Sequence, residues 1–361
     1  MEPLPGTLDL VGVTQSIWRI HRGAANLRWS KRLVKLQRRV IISGIGGYLP
    51  QRRVTNEELT QTLDTSDEWI VSHTGISARH IAADNEGSAD MAMAAANEAL
   101  KRAGVAAADL GLIIVATSTQ DYGGFPSTAC LVQGRLGATR AAAFDIFAAC
   151  SGFVYGLEAA RGMMACALDP RPSLVIGSEV MSRILDWEDR NTCVLFGDGA
   201  GAAVLEVTDD QHRGIVGSYL RADGTGEGEI LAIGGGLRTS GVDPMPRAIA
   251  MNGRIVFNFA VRALAEVVQY FMETLSLAPE DIRYVVPHQA NIRIIQAAIK
   301  RLPLPVEKFY LNIADVANTS AASIPLALSE LDRAGMLSPG DLILTTGFGA
   351  GLTYGGNAIY W

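Results

Sequence analysis

Residues 143–164 read AFDIFAACSGFVYGLEAARGMM, an apolar, strand-like run that meets Ala-Cys-Ser-Gly and then turns into a helical pattern with Phe153, Leu157 and Ala160 on one side. That change of period places Cys150 at or near a helix start, where unpaired N–H groups and the helix dipole favour a thiolate. Ala149, Ser151 and Gly152 are small enough to let a thioester approach the sulfur. The stretch has an echo in the second half of the chain. Asp145 to Gly152 (DIFAACSG) resembles Asp315 to Ala322 (DVANTSAA), each a short extended piece ending in small residues before a long helix. Two further pairs follow the same order: Asp109 to Thr117 with Asp281 to Gln289, and Gly197 to Gly201 (GDGAG) with Gly347 to Gly351 (GFGAG). Three pairs in register indicate an α/β protein built from two duplicated βαβ halves.

From Val40 onward, short β-branched runs alternate with Ala- and Leu-rich helical stretches, as largely parallel sheets require. Strands are expected at 112–117, 174–178, 202–207, 284–288 and 342–346. Helices are expected at 89–103, 151–166, 254–275, 291–301 and 321–334. The halves are taken as 40–210, carrying the cysteine, and 211–361.

The chain has 361 residues, 48% of them hydrophobic, enough for a large core. A charged fraction of 19% and a net charge of −6 leave no basic face for nucleic acid. Small molecules or a protein partner fit better. Cys130, Cys150, Cys166 and Cys193 form no CxxC spacing and there are only five histidines, so neither a zinc site nor a disulfide framework is indicated. The start carries no apolar signal core, and no run approaches the roughly 18 apolar residues of a membrane span. A soluble, cytoplasmic enzyme without cofactor is the expectation. Residues 1–39 stand apart, with eight basic residues against two acids: a local +6 that leaves −12 for the remainder. Such a basic extension can be a tail, a docking arm or an organellar targeting peptide.

A thiolate alone would make a thioester and stop; carbon–carbon bond formation also needs donors that stabilise an enolate. His288 closes the strand YVVPH, and Asn318 opens NTSAAS before the next helix. Both fall where strand ends meet helix starts, the crevice that binds ligands in α/β folds. Singly, His288 reads equally as a core residue and Asn318 as a helix N-cap. The repeat is what raises their functional reading. The glycine runs lack the Lys-Ser/Thr ending of a P-loop and the spacing of GxGxxG. For GDGAG close backbone packing is expected; in GFGAG the N–H of Ala350 can complete an oxyanion hole with that of Cys150.

Together the motifs SDEWIVSHTGI (66–76), FPSTAC (125–130), AACSGF (148–153), DWEDRNTCVLFGDGAGAAVL (186–205), MNGRIVFNFAV (251–261), VPHQANIRII (286–295), NTSAASIPLAL (318–328) and GFGAGLTYG (347–355) resemble β-ketoacyl-acyl carrier protein synthase III, from about Val40 to Trp361. The resemblance implies a thiolase-like five-layered αβαβα homodimer with a Cys150, His288, Asn318 triad. A primer acyl-CoA, most commonly acetyl-CoA, would acylate Cys150; malonyl-acyl carrier protein would then condense with loss of carbon dioxide, initiating type II fatty acid synthesis. It further implies that Trp69 and Arg190 sandwich the CoA adenine and that Asn252 and Asn291 line the pantetheine tunnel. Arg293, Lys300 and Arg301 would dock the acidic carrier protein. Phe125 would reach across the dimer into the neighbouring acyl pocket, with Phe348 packed beside Cys150. Three positions depart from the pattern: His73 in place of Arg, Asn258 in place of Lys, and Leu352 in place of Phe. A relative that passes the acyl group to another acceptor, or joins two acyl chains, would share the triad. A cysteine hydrolase is disfavoured because the C-G-[SA]-C-[WY] signature is absent, and retention of all three triad residues argues against a non-catalytic subunit.

Overall fold

Continuous apolar runs rather than alternating ones form the central strands, which means that both sheet faces are covered. The computed structural model describes residues 38–231 and 248–361. Its first half contributes β1 (Arg39–Tyr48), β2 (Arg52–Thr55), β3 (Ala78–Ile81), β4 (Leu112–Ala116), β5 (Ala142–Ile146), β6 (Ser173–Glu179) and β7 (Gly199–Thr208). The second contributes β8 (Gly214–Ala222), β9 (Ile230–Leu231), β10 (Ala250–Met251), β11 (Ile282–Pro287), β12 (Leu342–Gly349) and β13 (Thr353–Tyr360). Every residue of β4, β6 and β12 is buried.

The two main sheets repeat one another. The first runs β1-β7-β6-β4-β5 and the second β8-β13-β12-β11, extended past β11 by a parallel bridge from Val285 to Phe309. Directions match as well: the first two pairings of each sheet are antiparallel and the following ones parallel. Helices Gly152–Cys166 and Ser323–Arg333 share a core with residues of both sheets. Helices Ser88–Ala103 and Thr128–Leu136 cover the outer face of the first sheet, and Gly253–Thr274 with Ile292–Ile299 that of the second. This is the thiolase-like αβαβα layering that the motifs implied.

All five expected strands and five expected helices are present, with ends shifted by a few residues. Of the strands that the pattern did not reveal, the long β1, β8 and β13 each contain two or three glycines. In β1 those glycines have a packing reason: a Cβ at Gly44 or Gly46 would sit 2.4 Å from a carbonyl oxygen of helix Ser88–Ala103, at Ala99 and Ala95 respectively. The repeat needs two corrections. The turns Ala149–Ser151 and Ser320–Ala322 precede their helices at equivalent places, so Cys150 matches Ala321, one residue off the expected register. Ala149 (φ +45°) and Ser320 (φ +49°) share the same unusual left-handed backbone there. The glycine-rich pair is not equivalent: Gly197–Gly201 leads into β7, whereas Gly347–Gly351 leads out of β12. GDGAG does serve close packing, since a Cβ at Gly201 would lie 2.6 Å from Pro325 Cβ.

Helix Gly253–Thr274, with a mean hydropathy of 1.4 over its most apolar window, is long and apolar enough to cross a membrane, against the expectation that no run comes near. Its apolar side, including Phe259, Leu264, Val268 and Phe271, is spent on the core of the second half. The basic extension lies outside the described residues except for its last two.

Gly177 in β6 faces the turn that carries Ser320, where a Cβ would lie 2.2 Å from the Ala321 carbonyl oxygen. Backbone cannot yield as a side-chain tip can. Gly177→Ala should lower stability by about 1–3 kcal/mol, read as a shifted denaturant midpoint with an unchanged slope; an unshifted midpoint would contradict this packing.

Candidate active site

The C-terminal ends of β4, β6, β11 and β12 converge on a cavity of about 940 Å³ lined by Cys150, His288, Asn318, Phe348 and Ala350. Cys150 lies in the single turn that precedes helix Gly152–Cys166, as its small neighbours indicated. The glycine-rich end of β12 presses against it: a Cβ at Gly349 would come 2.7 Å from the Cys150 nitrogen. Thr353 ties the two loops together, its single hydroxyl proton shared between the carbonyls of Ala148 (3.1 Å) and Ala350 (3.0 Å). Residues 150 and 350 therefore line the same cavity.

Helix-start position does not by itself give a thiolate. Burial pushes the Cys150 thiol up to about 12, more than its own backbone N–H and the Ser320 hydroxyl restore. Cys150 is half-buried and lines the cavity. His288 is buried too, and desolvation drives its imidazole down to about 3, a backbone hydrogen bond at Ser320 opposing only part of the shift. It is neutral at physiological pH. Its Nδ1 lies 2.8 Å from Ser323 Oγ. Ser323 Oγ also receives the Gln289 N–H (3.4 Å); in the tautomer in which its hydroxyl donates to Nδ1, the imidazole hydrogen sits on Nε2. Phe348 meets the ring edge-on, 4.9 Å between centroids. Asn318 Oδ1 accepts from the Ser320 N–H at 2.9 Å, so its amide nitrogen remains as a donor. The triad thus comes together as two neutral donors beside a buried thiol.

One member of the site was missed from sequence. Glu179 ends β6 with no exposed surface, and desolvation raises its carboxyl to about 7 despite several hydrogen bonds. Its Oε1 accepts from Ser320 Oγ at 3.0 Å, and the same Ser320 Oγ lies 3.3 Å from Cys150 Sγ. The available signal was a single acid closing the apolar strand SLVIGSE at the end where the cysteine turn also sits.

At the mouth, Trp69 stacks on His73 with 4.4 Å between centroids, and Arg190 lies with Cζ 5.6 Å from the Trp69 ring. Arg190 also donates to the carbonyl oxygen of Asp64. Asn291 lines the cavity, caps helix Ile292–Ile299 and donates to the His73 carbonyl (2.9 Å). Asn252 is spent differently: it is the exposed N-cap of Gly253–Thr274, between Met251 and Gly253, which do line the cavity. Arg293 stands at the cavity mouth. Lys300 and Arg301 are exposed but lie beyond the helix, which ends at Ile299, rather than on it. Phe125 is 93% exposed and absent from this cavity's lining. Leu352 is buried against Gly226, off the cavity wall. Asn258 is exposed on the outer helix. No group of three or more candidate metal ligands occurs among the described residues.

Comparison with known proteins identifies the family. Residues 144–224 match the family model for 3-oxoacyl-[acyl-carrier-protein] synthase III, and residues 272–361 match its C-terminal model. The chain is 49% identical over 327 residues to the β-ketoacyl-[acyl-carrier-protein] synthase III of Clostridium beijerinckii, covering 89% of this chain and 98% of that one. The crystal structure of the Thermus thermophilus β-ketoacyl-[acyl carrier protein] synthase III superposes with a TM-score of 0.84 at 44% identity, over 89% and 98% of the two chains. A priming β-ketosynthase of the R1128 polyketide pathway superposes with a TM-score of 0.81 at 37% identity, over 89% and 96%.

The buried imidazole makes a prediction about acid stability. A base whose folded pKa lies below its unfolded value of about 6.5 leaves the folded state with fewer protons, so stability is full above that value and is lost as pH falls toward 3. At pH 4.5 the loss is on the order of 2–3 kcal/mol. Glu179 acts in the opposite sense between about 4.5 and 7, but it is common to both proteins when wild type is compared with His288→Asn. The wild-type melting temperature should therefore fall relative to that of the variant progressively between pH 6.5 and 4.5; parallel curves would contradict the neutral, buried imidazole.

Proposed function

Because the chain belongs to the β-ketoacyl-[acyl-carrier-protein] synthase III family of condensing acyltransferases, we propose that Cys150, His288 and Asn318 divide its reaction into two half-reactions. Cys150 takes an acyl group from a primer acyl-CoA, acetyl-CoA being the simplest. The N–H groups of Cys150 and Ala350 receive the thioester oxygen as it becomes negative. Malonyl-acyl carrier protein then enters by the same mouth, and its thioester carbonyl is met by His288 Nε2–H and the Asn318 amide. Loss of carbon dioxide leaves an enolate that those two donors stabilise, and its carbon attacks the acyl group on Cys150. The observation that carries this reading is the neutrality of His288: a neutral donor can polarise the carbonyl without pairing with, and so retaining, the malonyl carboxylate.

Substrates, not a resident cofactor, fill the cavity. The CoA adenine stacks at Trp69 and Arg190, and the pantetheine passes Asn291. Arg293, Lys300 and Arg301 attract the acidic carrier protein, a local positive surface on a chain of net charge −6. A homodimer supplies Phe125 to the neighbouring pocket, which accounts for a phenylalanine left 93% exposed. The cytoplasm is the compartment in which such a carrier protein would be met. The priming ketosynthase likeness keeps a specialised pathway as the second reading; it shares the chemistry and differs in the fate of the product.

Asn318→Ala should slow condensation roughly 10²-fold or more, the range for loss of one oxyanion donor, while acetyl-CoA still loads Cys150 at close to the wild-type rate. Equal loss in both half-reactions would contradict the division. Arg293→Glu should raise the apparent KM for malonyl-acyl carrier protein and flatten its salt dependence. Acylation from a primer CoA should be nearly unchanged. If salt affects variant and wild type alike, the docking surface lies elsewhere.

A further inference from the structure

Glu179 is fully buried, and nothing assigned to Cys150, His288 or Asn318 uses it. A carboxylate in such a place is costly unless it is neutralised or well provided with donors. Its donors are all uncharged: Thr119 Oγ1 at 2.7 Å, the Ser118 N–H at 3.0 Å and Thr117 Oγ1 at 3.3 Å on Oε2, and Ser320 Oγ at 3.0 Å on Oε1. The first three come from the segment after β4. The fourth comes from the turn after Asn318, and a backbone hydrogen bond at Ala321 adds to it. The donors are aligned in one direction: Cys150 Sγ–H to Ser320 Oγ at 3.3 Å, then Ser320 Oγ–H to Glu179 Oε1. Ser320 is held in place by its φ of +49° and by its N–H to Asn318 Oδ1.

We propose that Ser320 and Glu179 form a proton relay for Cys150, taking the thiol proton when the sulfur is acylated and returning it when the sulfur leaves. Ser320 touches the reacting sulfur; Glu179 acts through Ser320. In acylation the Sγ–H bond breaks, its proton passes to Ser320 Oγ, and the Ser320 proton passes to Glu179. The sulfur electron pair forms the Sγ–C bond, and the C–S bond to CoA breaks, with the CoA thiolate taking its proton from solvent. In condensation the enolate carbon forms the new C–C bond, the Sγ–C bond breaks, and the departing thiolate recovers its proton from Glu179 through Ser320. In acylation the one negative charge passes from Glu179 by way of the sulfur to the departing CoA, which leaves the acyl-enzyme with a neutral Glu179; in condensation the charge of the enolate passes by way of the sulfur back to Glu179. Two charges never share the enclosed site.

The pH behaviour is a consequence of burial. A thiol pushed up to about 12 cannot ionise to solvent at neutral pH, while a carboxyl pushed up to about 7 is ready to accept. The groups facing Glu179 are the three hydroxyls, the Ser118 and Ala321 N–H groups and the Cys150 thiol, none of them a cation. His288, beyond Ser320, is neutral throughout this range. Acylation should then rise with pH through about 7, as Glu179 loses its proton, and level off above.

This inference rests on Cys150 as the acylated residue, and the experiment separates the two. The acetyl-CoA acylation rate is followed by CoA release from pH 5.5 to 9.5 in the full chain and in Glu179→Gln and Ser320→Ala. Acetyl is located by peptide mass, and folding is checked by thermal melting. The wild type should inflect near pH 7. Both variants should lose that inflection, climb steadily with pH, and acylate roughly 10²-fold more slowly at pH 7.5; the double variant should be no slower than either single one. Should Glu179→Gln fail to fold, Ser320→Ala decides the question alone. An inflection retained in a folded variant, even one slowed equally at every pH, overturns the relay and leaves the two residues structural. Absence of acetyl from the wild-type Cys150 peptide overturns the nucleophile as well.

Discussion

Enclosure of the reaction centre is the constraint on which the rest depends. Removing water from around Cys150, His288 and Glu179 pushes each toward its neutral form: thiol and carboxyl up, imidazole down. Among the described residues no lysine lines the cavity and Arg293 is the one arginine that does. What remains is neutral donors, a nucleophile that must be deprotonated locally, and little tolerance for a second charge. An enzyme that makes an enolate benefits from that arrangement, because water would protonate the carbanion and weaken every hydrogen bond to it.

The fold delivers this enclosure by repetition. Equivalent strands in the two sheets bring their C-terminal ends to one place, and equivalent turns, Ala149–Ser151 and Ser320–Ala322, bring the thiol and its nearest hydroxyl face to face. Glycines make the approach possible where backbone meets backbone, at Gly177 against Ala321 and at Gly349 against Cys150. Both turns use a non-glycine residue with positive φ, a cost of about 1–3 kcal/mol each that the surrounding packing must offset. The halves resemble each other because each supplies the same corner of one site.

Much of this was legible in the sequence, for identifiable reasons. Buried parallel strands announce themselves as unbroken apolar runs, and the Cys150 turn shows as a change of period followed by small residues. That Cys150, His288 and Asn318 line one cavity was legible because His288 and Asn318 close and open elements whose types were clear. Glycine-rich β1 and β13 stayed hidden, since their residues are chosen for contact with helix or strand backbone rather than for strand propensity. The one-residue register error between the turns, and the false pairing of the two glycine runs, came from matching residue types where the equivalence is one of backbone path. Glu179 escaped because its partners, Thr119 and Ser320, are 60 and 141 residues away in sequence. Lys300 and Arg301 were assigned to a helix that ends before them, at Ile299.

The central claim is that Cys150 carries the acyl group between two substrates, and mass measurement tests it most directly. Intact protein mixed with acetyl-CoA should gain one acetyl group, found on the peptide containing Cys150, and should lose it on addition of malonyl-acyl carrier protein as the condensed product appears. Cys150→Ser should gain none, because an alcohol in this pocket lacks the nucleophilicity of a thiolate. Acetyl on another residue, or an acetyl on Cys150 that malonyl-acyl carrier protein does not remove, would contradict the account.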